Sequence, residues 1–392
     1  MLTLKELDLL LTKPLREAVR EHISSDPAKI ALDKNIPYAQ LVATQVKYLQ
    51  KARKKLPSYY KAQCIISAKA YEQCSSEAAA SHRHYKGEFC IDMGSGLGVD
   101  SLYLSKRFDR IMSIEQDPLL TEIARANFDL LGRRNISVVK MNIEEALEQY
   151  PELSADLVFL DPDRRGSDGR KKITLEDCSP DITKLLPKIK KIAPKVVIKL
   201  SPMFDIDEAF RIFGSHVIID VVSVDGECKE VLVEIDDRIE HPTIKASGVG
   251  HYEVEYPYDK NQPSDKADTA PHMPTSRYLI VPDVALAKAR LAKRYFSDMN
   301  AYIETDNSYA FSDILPKEKV GKVFEIESIE KYSPKNLRQK LAGMKIKKIN
   351  VMKHEFPYST EKITKELGVA EGGTKYIAFT TIADKKWAIF LK

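Results

Sequence analysis

One stretch, residues 89–98 (Phe-Cys-Ile-Asp-Met-Gly-Ser-Gly-Leu-Gly), constrains the fold of this 392-residue chain more than any other. Phe89, Cys90 and Ile91 form a short apolar run that reads as a buried strand and ends in Asp92. Gly94, Gly96 and Gly98 follow at alternate positions, with Ser95 between the first two. Glycine permits φ > 0 and lets a ligand approach the backbone closely. Residues 99–107 read as a helix. A strand, a glycine turn and a helix N-terminus therefore meet at one nucleotide-sized site, with exposed N–H groups and the positive helix end facing it.

The spacing is Gly-x-Gly-x-Gly with an acid two residues ahead, whereas the dinucleotide fingerprint is Gly-x-Gly-x-x-Gly. This pattern resembles the first motif of class I S-adenosylmethionine (SAM) methyltransferases. The resemblance implies a turn that passes under the amino-acid part of SAM, with no pyrophosphate to cradle. Taken alone, the motif leaves a second reading, a glycine-rich turn that binds nothing. The later strands narrow the choice. Residues 110–115 are a second apolar run ending in Glu115, followed by Gln116. An acid about 20 residues beyond the glycines is where doubly wound folds grip a ribose. Its two oxygens accept both hydroxyl protons. Residues 136–141 form a third strand that ends at Asn142 and Ile143. The family usually has Asp at the position of Asn142, contacting the adenine amine, and Asn keeps the acceptor oxygen. Residues 156–160 form a fourth strand, ending in Asp161-Pro162-Asp163-Arg164-Arg165. The expected SAM contacts are thus Asp92, Gly94, Ser95, Gly96, Gly98, Glu115, Gln116, Asn142, Ile143 and Asp161.

At 43% hydrophobic and 30% charged residues, the chain has material for a large core, which argues against global disorder. The net charge of +4 permits an anionic partner without demanding one. No apolar run approaches the ~20 residues of a membrane span, so no membrane partner is expected. The N-terminal stretch has acids among its apolar residues and no small-residue cleavage site, so it does not read as a signal peptide. Cys64, Cys74, Cys90, Cys178 and Cys228 are odd in number and include no Cys-x-x-Cys pair. Neither a metal site nor a disulfide framework is expected, and a reducing, cytoplasmic setting fits.

Four regions follow from the pattern. Residues 1–86 read as a helical N-terminal domain, with apolar spacing through Leu4, Leu7, Leu10, Leu11 and Leu15 and again through Leu41, Val42, Val46 and Leu49. Pro14, Pro27, Pro37 and Pro57 punctuate it. Lys47, Lys51, Arg53, Lys54 and Lys55 read as a solvated helix face or, less readily, a nucleic-acid contact. Ser75 or Ser76 is positioned to cap a helix leading into the first strand, over the methionine end of SAM or simply packed there.

Residues 87–240 alternate strand and helix, as a doubly wound sheet should. A helix over 180–192, a strand over 195–200 and a helix over 206–213 precede two runs, 216–225 and 229–235. Asp225-Gly226-Glu227-Cys228 between them is a hairpin signal. An antiparallel hairpin closing a parallel sheet is the class I methyltransferase ending. Residues 241–275 read as a connector without periodicity. Residues 276–392 read as an α+β domain: a strand at 278–281, an amphipathic helix at 284–299, short strands near Tyr302 and Phe324, and a helix at 333–344 with Ser333 as cap and Pro334 at its first position. A strand at 345–352, a helix at 360–367 and a hairpin at 376–391 complete it. Lys335, Arg338, Lys340, Lys345, Lys347, Lys348 and Lys353 gather around one helix-to-strand unit. They read equally as a solvated face or as an RNA-binding appendage.

The resemblance extends beyond the glycine turn. Residues 123–132 (Ile-Ala-Arg-Ala-Asn-Phe-Asp-Leu-Leu-Gly) look like the second helix of trimethylguanosine synthase and related RNA guanine methyltransferases. Asp161-Pro162-Asp163-Arg164-Arg165, Gly169-Arg170-Lys171-Lys172 and Ser179-Pro180 resemble a bacterial family of class I methyltransferases with a THUMP-like C-terminal domain. So do Gln73 with Ser75-Ser76-Glu77, Lys199-Leu200-Ser201-Pro202, and Gly226-Glu227-Cys228. The fold implied is α/β: a doubly wound, Rossmann-like class I methyltransferase sheet with a helical N-terminal segment and a C-terminal α+β domain, THUMP-like or ferredoxin-like.

Enzymes that methylate exocyclic base amines often carry Asp/Asn-Pro-Pro-aromatic at the fourth strand end. There a carboxylate or amide and a proline-fixed carbonyl accept hydrogen bonds from the amine, and the aromatic stacks the base. In this chain Asp161-Pro162 survives, while Asp163 and Arg164 replace the second proline and the aromatic. An arginine plane both stacks a base and neutralises phosphate. Asp161, Pro162, Asp163 and Arg164 are therefore the expected catalytic residues, and Arg164, Arg165, Lys199 and Ser201 the expected substrate contacts. The competing reading is a salt-bridged turn in which the arginines pair the acids. The function implied is SAM-dependent methylation of a base nitrogen in RNA. The alternatives are a same-fold enzyme acting on a small molecule or protein, and a non-catalytic SAM-fold RNA-binding protein.

Overall fold

The computed structural model describes residues 2–162, 181–259 and 276–392. They form two compact units, residues 1–219 with 229–242, and residues 220–228 with 243–392.

The first unit opens with seven helices: α1 Leu4–Leu11, α2 Lys13–Glu21, α3 Pro27–Leu32, α4 Ala39–Lys55, α5 Pro57–Ala62, α6 Ala68–Gln73 and α7 Glu77–Ser81. The sequence sets their starts. Thr3 and Glu6 make a capping box on α1, and Pro14, Pro27 and Pro57 occupy first-turn positions where a missing N–H costs nothing. Leu7, Leu10, Leu15, Val42, Val46 and Leu49 are buried, whereas Leu4 and Leu11 stay exposed on the rim of the stripe. Ser76 caps α7, its Oγ accepting from the Ala79 N–H at 3.1 Å.

Strand and helix then alternate: β1 Gly87–Met93, α8 Val99–Leu104, β2 Phe108–Glu115, α9 Pro118–Leu130, β3 Ile136–Lys140, α10 Ile143–Gln149 and β4 Leu157–Leu160. After them come α11 Ile182–Ile192, β5 Lys195–Leu200, α12 Ile206–Phe213, β6 Val217–Val224 and β7 Glu227–Asp236. The strand order runs β3-β2-β1-β4-β5-β7-β6. β1 pairs in parallel with β2 and with β4, so Ile91 lies between Met112 and Val158. β5 and β7 are antiparallel. Asp225 and Gly226 both take positive φ, which lets the β6–β7 connection turn in two residues. The order reverses between β1 and β4, and open α/β sheets bind ligands at the carboxyl ends of the strands flanking such a point.

The second unit continues with β8 Thr243–Gly248, β9 Tyr252–Pro257, β10 Tyr278–Pro282, α13 Val284–Lys288, α14 Ala292–Asp298, β11 Tyr302–Ile303, β12 Ala310–Ser312 and β13 Gly321–Lys331. α15 Pro334–Gly343, β14 Lys348–Lys353, α16 Thr360–Leu367, β15 Ala370–Ile382 and β16 Lys385–Leu391 close the chain. Its seven-stranded sheet has the order β11-β12-β10-β13-β16-β15-β14, with β14 and β15 parallel. Alternating residues of β15 and β16 feed two cores. Ile377, Phe379 and Phe390 pack with Leu337, Leu341, Ile363 and Leu367 of the helices, and Ala378, Ile389 and Leu391 pack with Leu279 and Phe311.

Four sequence expectations change, the simplest being the short strand near Phe324, which is the eleven-residue β13. The stretch read as connector contains an antiparallel pair, β8 with β9, in which Ser247 lies opposite Glu253. Each strand is six residues long, too short for its alternation to stand out among turn residues. The single helix expected over 284–299 is two, because Arg290 adopts φ +56° and breaks it. The strand expected from residue 345 begins at Lys348, since Lys345 itself takes φ +55°.

Candidate functional site

The glycine turn is held from three sides. The N–H groups of Gly94 and Ser95 donate to the Ile114 carbonyl of β2 at 3.0 and 3.1 Å. Gly94, Gly96 and Gly98 have φ of +84°, +55° and +81°. Their reasons differ beyond that. A Cβ on Gly94 would lie 2.9 Å from the Asp161 carbonyl oxygen, and one on Gly98 would lie 2.4 Å from Cζ of Phe128. A Cβ on Gly96 meets nothing within 4 Å, because it points into open space. The hydroxyl of Tyr59 donates to the Leu97 carbonyl at 3.0 Å, so the N-terminal helices brace the turn from below.

That open space is a cavity of about 670 Å³, the size of a small-molecule site. Gly94, Ser95, Gly96, Glu115, Gln116, Asn142, Ile143, Asp161, Pro162, Lys199 and Ser201 line it together. Two expected contacts do not. Asp92 is buried behind the turn, where its Oδ2 accepts from the Ser101 hydroxyl and its Oδ1 has no partner. Burial pushes its carboxyl up to about 7. Gly98 packs on Phe128 instead. Asp163, Arg164 and Arg165 lie outside the described residues.

Glu115 lines the cavity beside the glycine turn. Its Oε2 accepts from the Gly96 N–H at 2.8 Å and its Oε1 from the Asp117 N–H at 2.9 Å. Burial raises its carboxyl above the usual range, and the backbone donors of Asp117 and Gly96 oppose that. Asn142 caps α10, its Oδ1 accepting from the Glu145 N–H at 2.7 Å, so one lone pair of the acceptor oxygen is already used. Ser95 Oγ is buried with no hydrogen-bond partner. An orphaned hydroxyl and an unfilled glycine in the same wall fit a ligand with polar groups seated there.

The opposite wall comes from the α6–α7 segment, through Lys69, Gln73, Cys74 and Ser75, and from Met203 and Phe204 after β5. Asp100 in the first turn of α8 also lines the cavity, and no motif singles it out. Its Oδ1 takes the Arg83 guanidinium at 2.7 Å, and its Oδ2 accepts from Ser75 Oγ at 2.8 Å and Lys199 Nζ at 3.1 Å. Lys199 also pairs with Asp161 Oδ2 at 2.5 Å. Its ammonium, expected to hold substrate, is committed to protein carboxylates.

Comparison with known proteins places this arrangement. Residues 321–392 match the family described as THUMP domain-like. A crystal structure of a "putative methyltransferase" from Porphyromonas gingivalis W83 covers 100% of this chain and 99% of its own, with a TM-score of 0.82 and 24% identity. The fold is that of the Rossmann-like methyltransferases, with a THUMP-like domain at the C-terminus. Two curated relatives match over shorter spans. An "Uncharacterized RNA methyltransferase" of Thermotoga maritima is 25% identical over 114 residues, 29% of this chain. The 23S rRNA (uracil(1939)-C(5))-methyltransferase RlmD of Klebsiella pneumoniae is 29% identical over 113 residues, 28% of this chain. The matched part spans 23% of the length of each relative.

Proposed function

We propose that this protein is a SAM-dependent methyltransferase that modifies a base nitrogen of RNA. One observation carries the reading: the glycine turn, Glu115, Asn142 and Asp161-Pro162, from the ends of four different strands, converge on a single cavity. The Rossmann-like methyltransferase fold and the RNA methyltransferase names of the partial relatives support it. So does the likeness of Asp161-Pro162 to the bacterial family with THUMP-like domains, whose motif continues through Asp163, Arg164 and Arg165.

SAM, when bound, supplies a methyl group on an electrophilic sulfonium. The chain supplies positions. Gly94–Gly98 backs the amino-acid moiety, with Ser95 Oγ as a hydroxyl ready for it. Glu115 accepts from the ribose hydroxyls, and Gln116, Asn142 and Ile143 flank the base. The Asp161 carboxylate accepts a hydrogen bond from the acceptor amine and aligns its lone pair; alignment at short range is most of what such a transfer requires. In this reading Arg164, Arg165 and Ser201 are substrate contacts, Asp163 is a catalytic residue, and the THUMP-like domain binds RNA. A nitrogen acceptor is favoured over a ring carbon. Methylating an unactivated pyrimidine carbon calls for a covalent nucleophile, and burial pushes up Cys74, the thiol in the described cavity wall. An RNA substrate and the thiols of Cys64, Cys74 and Cys90 suit a reducing cytoplasm. No helix among the described residues is long and apolar enough to cross a membrane.

The test is incubation with methyl-labelled SAM and bulk RNA from a strain lacking the gene, followed by nucleoside analysis. The expected result is label in one N-methylated nucleoside, abolished by RNase pretreatment. Label in protein or a small molecule, or none, rejects the RNA assignment.

A further inference from the structure

A buried run of alternating charge ends at Asp161. Glu230 of β7 takes Arg83 through two oxygens, at 2.5 and 3.0 Å. Arg83 passes to Asp100, Asp100 to Lys199, and Lys199 to Asp161. The side chains of Arg83, Glu230, Asp100 and Lys199 are between 0% and 9% exposed, whereas that of Asp161 is 27% exposed. Phe159 of β4 lies under the guanidinium, 5.2 Å from ring centroid to Cζ. An ammonium has three protons, and Lys199 directs them to Asp161, Asp100 and Ser75 Oγ at 2.5, 3.1 and 2.8 Å.

Stability alone does not account for such an arrangement. Buried ion pairs are often no more stable than apolar packing of the same volume. Asp100, Lys199 and Asp161 line the cavity, and Asp161 is the most exposed member of the run. Burial alone would lower the Lys199 ammonium, but Asp100, Asp161 and Glu230 carry it above its ordinary value. Burial likewise opposes ionisation of Asp100, and Lys199 and Arg83 hold it below the usual carboxylate range.

We infer that Lys199 is a positioning residue that fixes the Asp161 carboxylate in one orientation and keeps it ionised as a hydrogen-bond acceptor. The inference rests on the reading of Asp161 as the carboxylate that meets the acceptor amine. Among the described residues, the ionisable groups near Asp161 include Lys199 from β5, in direct contact, Asp100 from α8, which shares the same ammonium, and Asp92 from β1. The Asp-Arg-Arg run at 163–165 adjoins it in sequence, outside the described residues. Against these two carboxylates, Lys199 supplies a cation in direct contact with Asp161. Without that cation, Asp161 binds a proton more readily. Without Asp100, a like charge is removed and Asp161 binds a proton less readily.

The experiment titrates the full-length protein labelled with ¹³C at the aspartate carboxyls, the Asp161 resonance being assigned by its loss in Asp161→Asn. In Lys199→Met the Asp161 midpoint should rise by one pH unit or more, and in Asp100→Asn it should fall. Shifts in one direction in both variants, or no shift in Lys199→Met, overturn the inference. Circular dichroism checks folding, and if Lys199→Met does not fold, a rise in Asp100→Asn overturns it alone. The acidic limb of the pH–rate profile for methyl transfer should move with the midpoint. A wild type that methylates no RNA counts against the proposed function, while the carboxyl titration still decides the role of Lys199.

Discussion

Glu115 and Gly96 are 19 residues apart, yet Glu115 Oε2 accepts the Gly96 N–H at 2.8 Å. The acid expected to grip a ribose therefore also shapes the glycine turn. We predict that Glu115→Ala weakens SAM binding by about 1–3 kcal/mol, the scale of a charge-assisted hydrogen bond. Calorimetric titration measures this directly. An affinity equal to wild type would place the ribose elsewhere.

Gly98 and Gly96 should fail in different ways. Gly98→Ala brings a Cβ to 2.4 Å from Phe128 and forces a side chain to φ +81°, so it should unfold several degrees earlier than wild type. Gly96→Ala meets no atom within 4 Å. It should cost only the left-handed backbone penalty of about 1–2 kcal/mol while obstructing the ligand. Thermal melts with and without SAM separate the two effects. Equal melting temperatures for both apo variants would contradict the geometry.

Asp92 gives a pH signature. Its folded carboxyl is raised to about 7 from an ordinary value of 3.8. A carboxyl raised on folding contributes stability that is complete below the unfolded value and lost as pH rises through the folded value. Wild type should therefore lose stability relative to Asp92→Asn between about pH 4 and 7, by up to roughly 4 kcal/mol for a shift near three units. The difference should be flat above that window. Urea melts across pH measure it, and a constant difference from about pH 4 to 8 would show that Asp92 ionises normally.

The C-terminal lysines can be sorted by their partners. Lys340 is paired with Glu330, and Arg338 donates to the Glu366 carbonyl at 2.5 Å, so both serve the fold. Lys335, Lys345, Lys347, Lys348 and Lys353 are exposed around α15 and β14. Replacing these five by alanine should keep SAM affinity and weaken RNA binding. It should also flatten log K against log salt by about 0.7–0.9 for each phosphate that is no longer neutralised. An unchanged slope would make them an ordinary solvated surface.

Much of this site is legible in the chain because its parts are local. Asp92-x-Gly94-x-Gly96-x-Gly98 needs positive φ within five residues, and each strand end announces itself by an apolar run meeting a polar residue. β5 and α16 have the bounds that the sequence pattern indicates, Lys195–Leu200 and Thr360–Leu367. What escapes is non-local. Arg83, Asp100, Lys199 and Glu230 are scattered along the chain, the first and last 147 positions apart; no motif singles out Arg83, Asp100 or Glu230, and Lys199 reads as a substrate contact. Nothing in their spacing shows that they meet in the interior. Arg290 escapes for another reason: its apolar neighbours keep helical spacing through the position where the backbone turns left-handed.

The central claim is that this cavity holds SAM against the glycine turn, and calorimetric titration of wild type and Gly96→Val with SAM tests it most directly. The expected result is saturable binding to wild type and none to a Gly96→Val protein whose circular dichroism is unchanged. No binding to wild type at high micromolar SAM, or equal affinity in the folded variant, would contradict it.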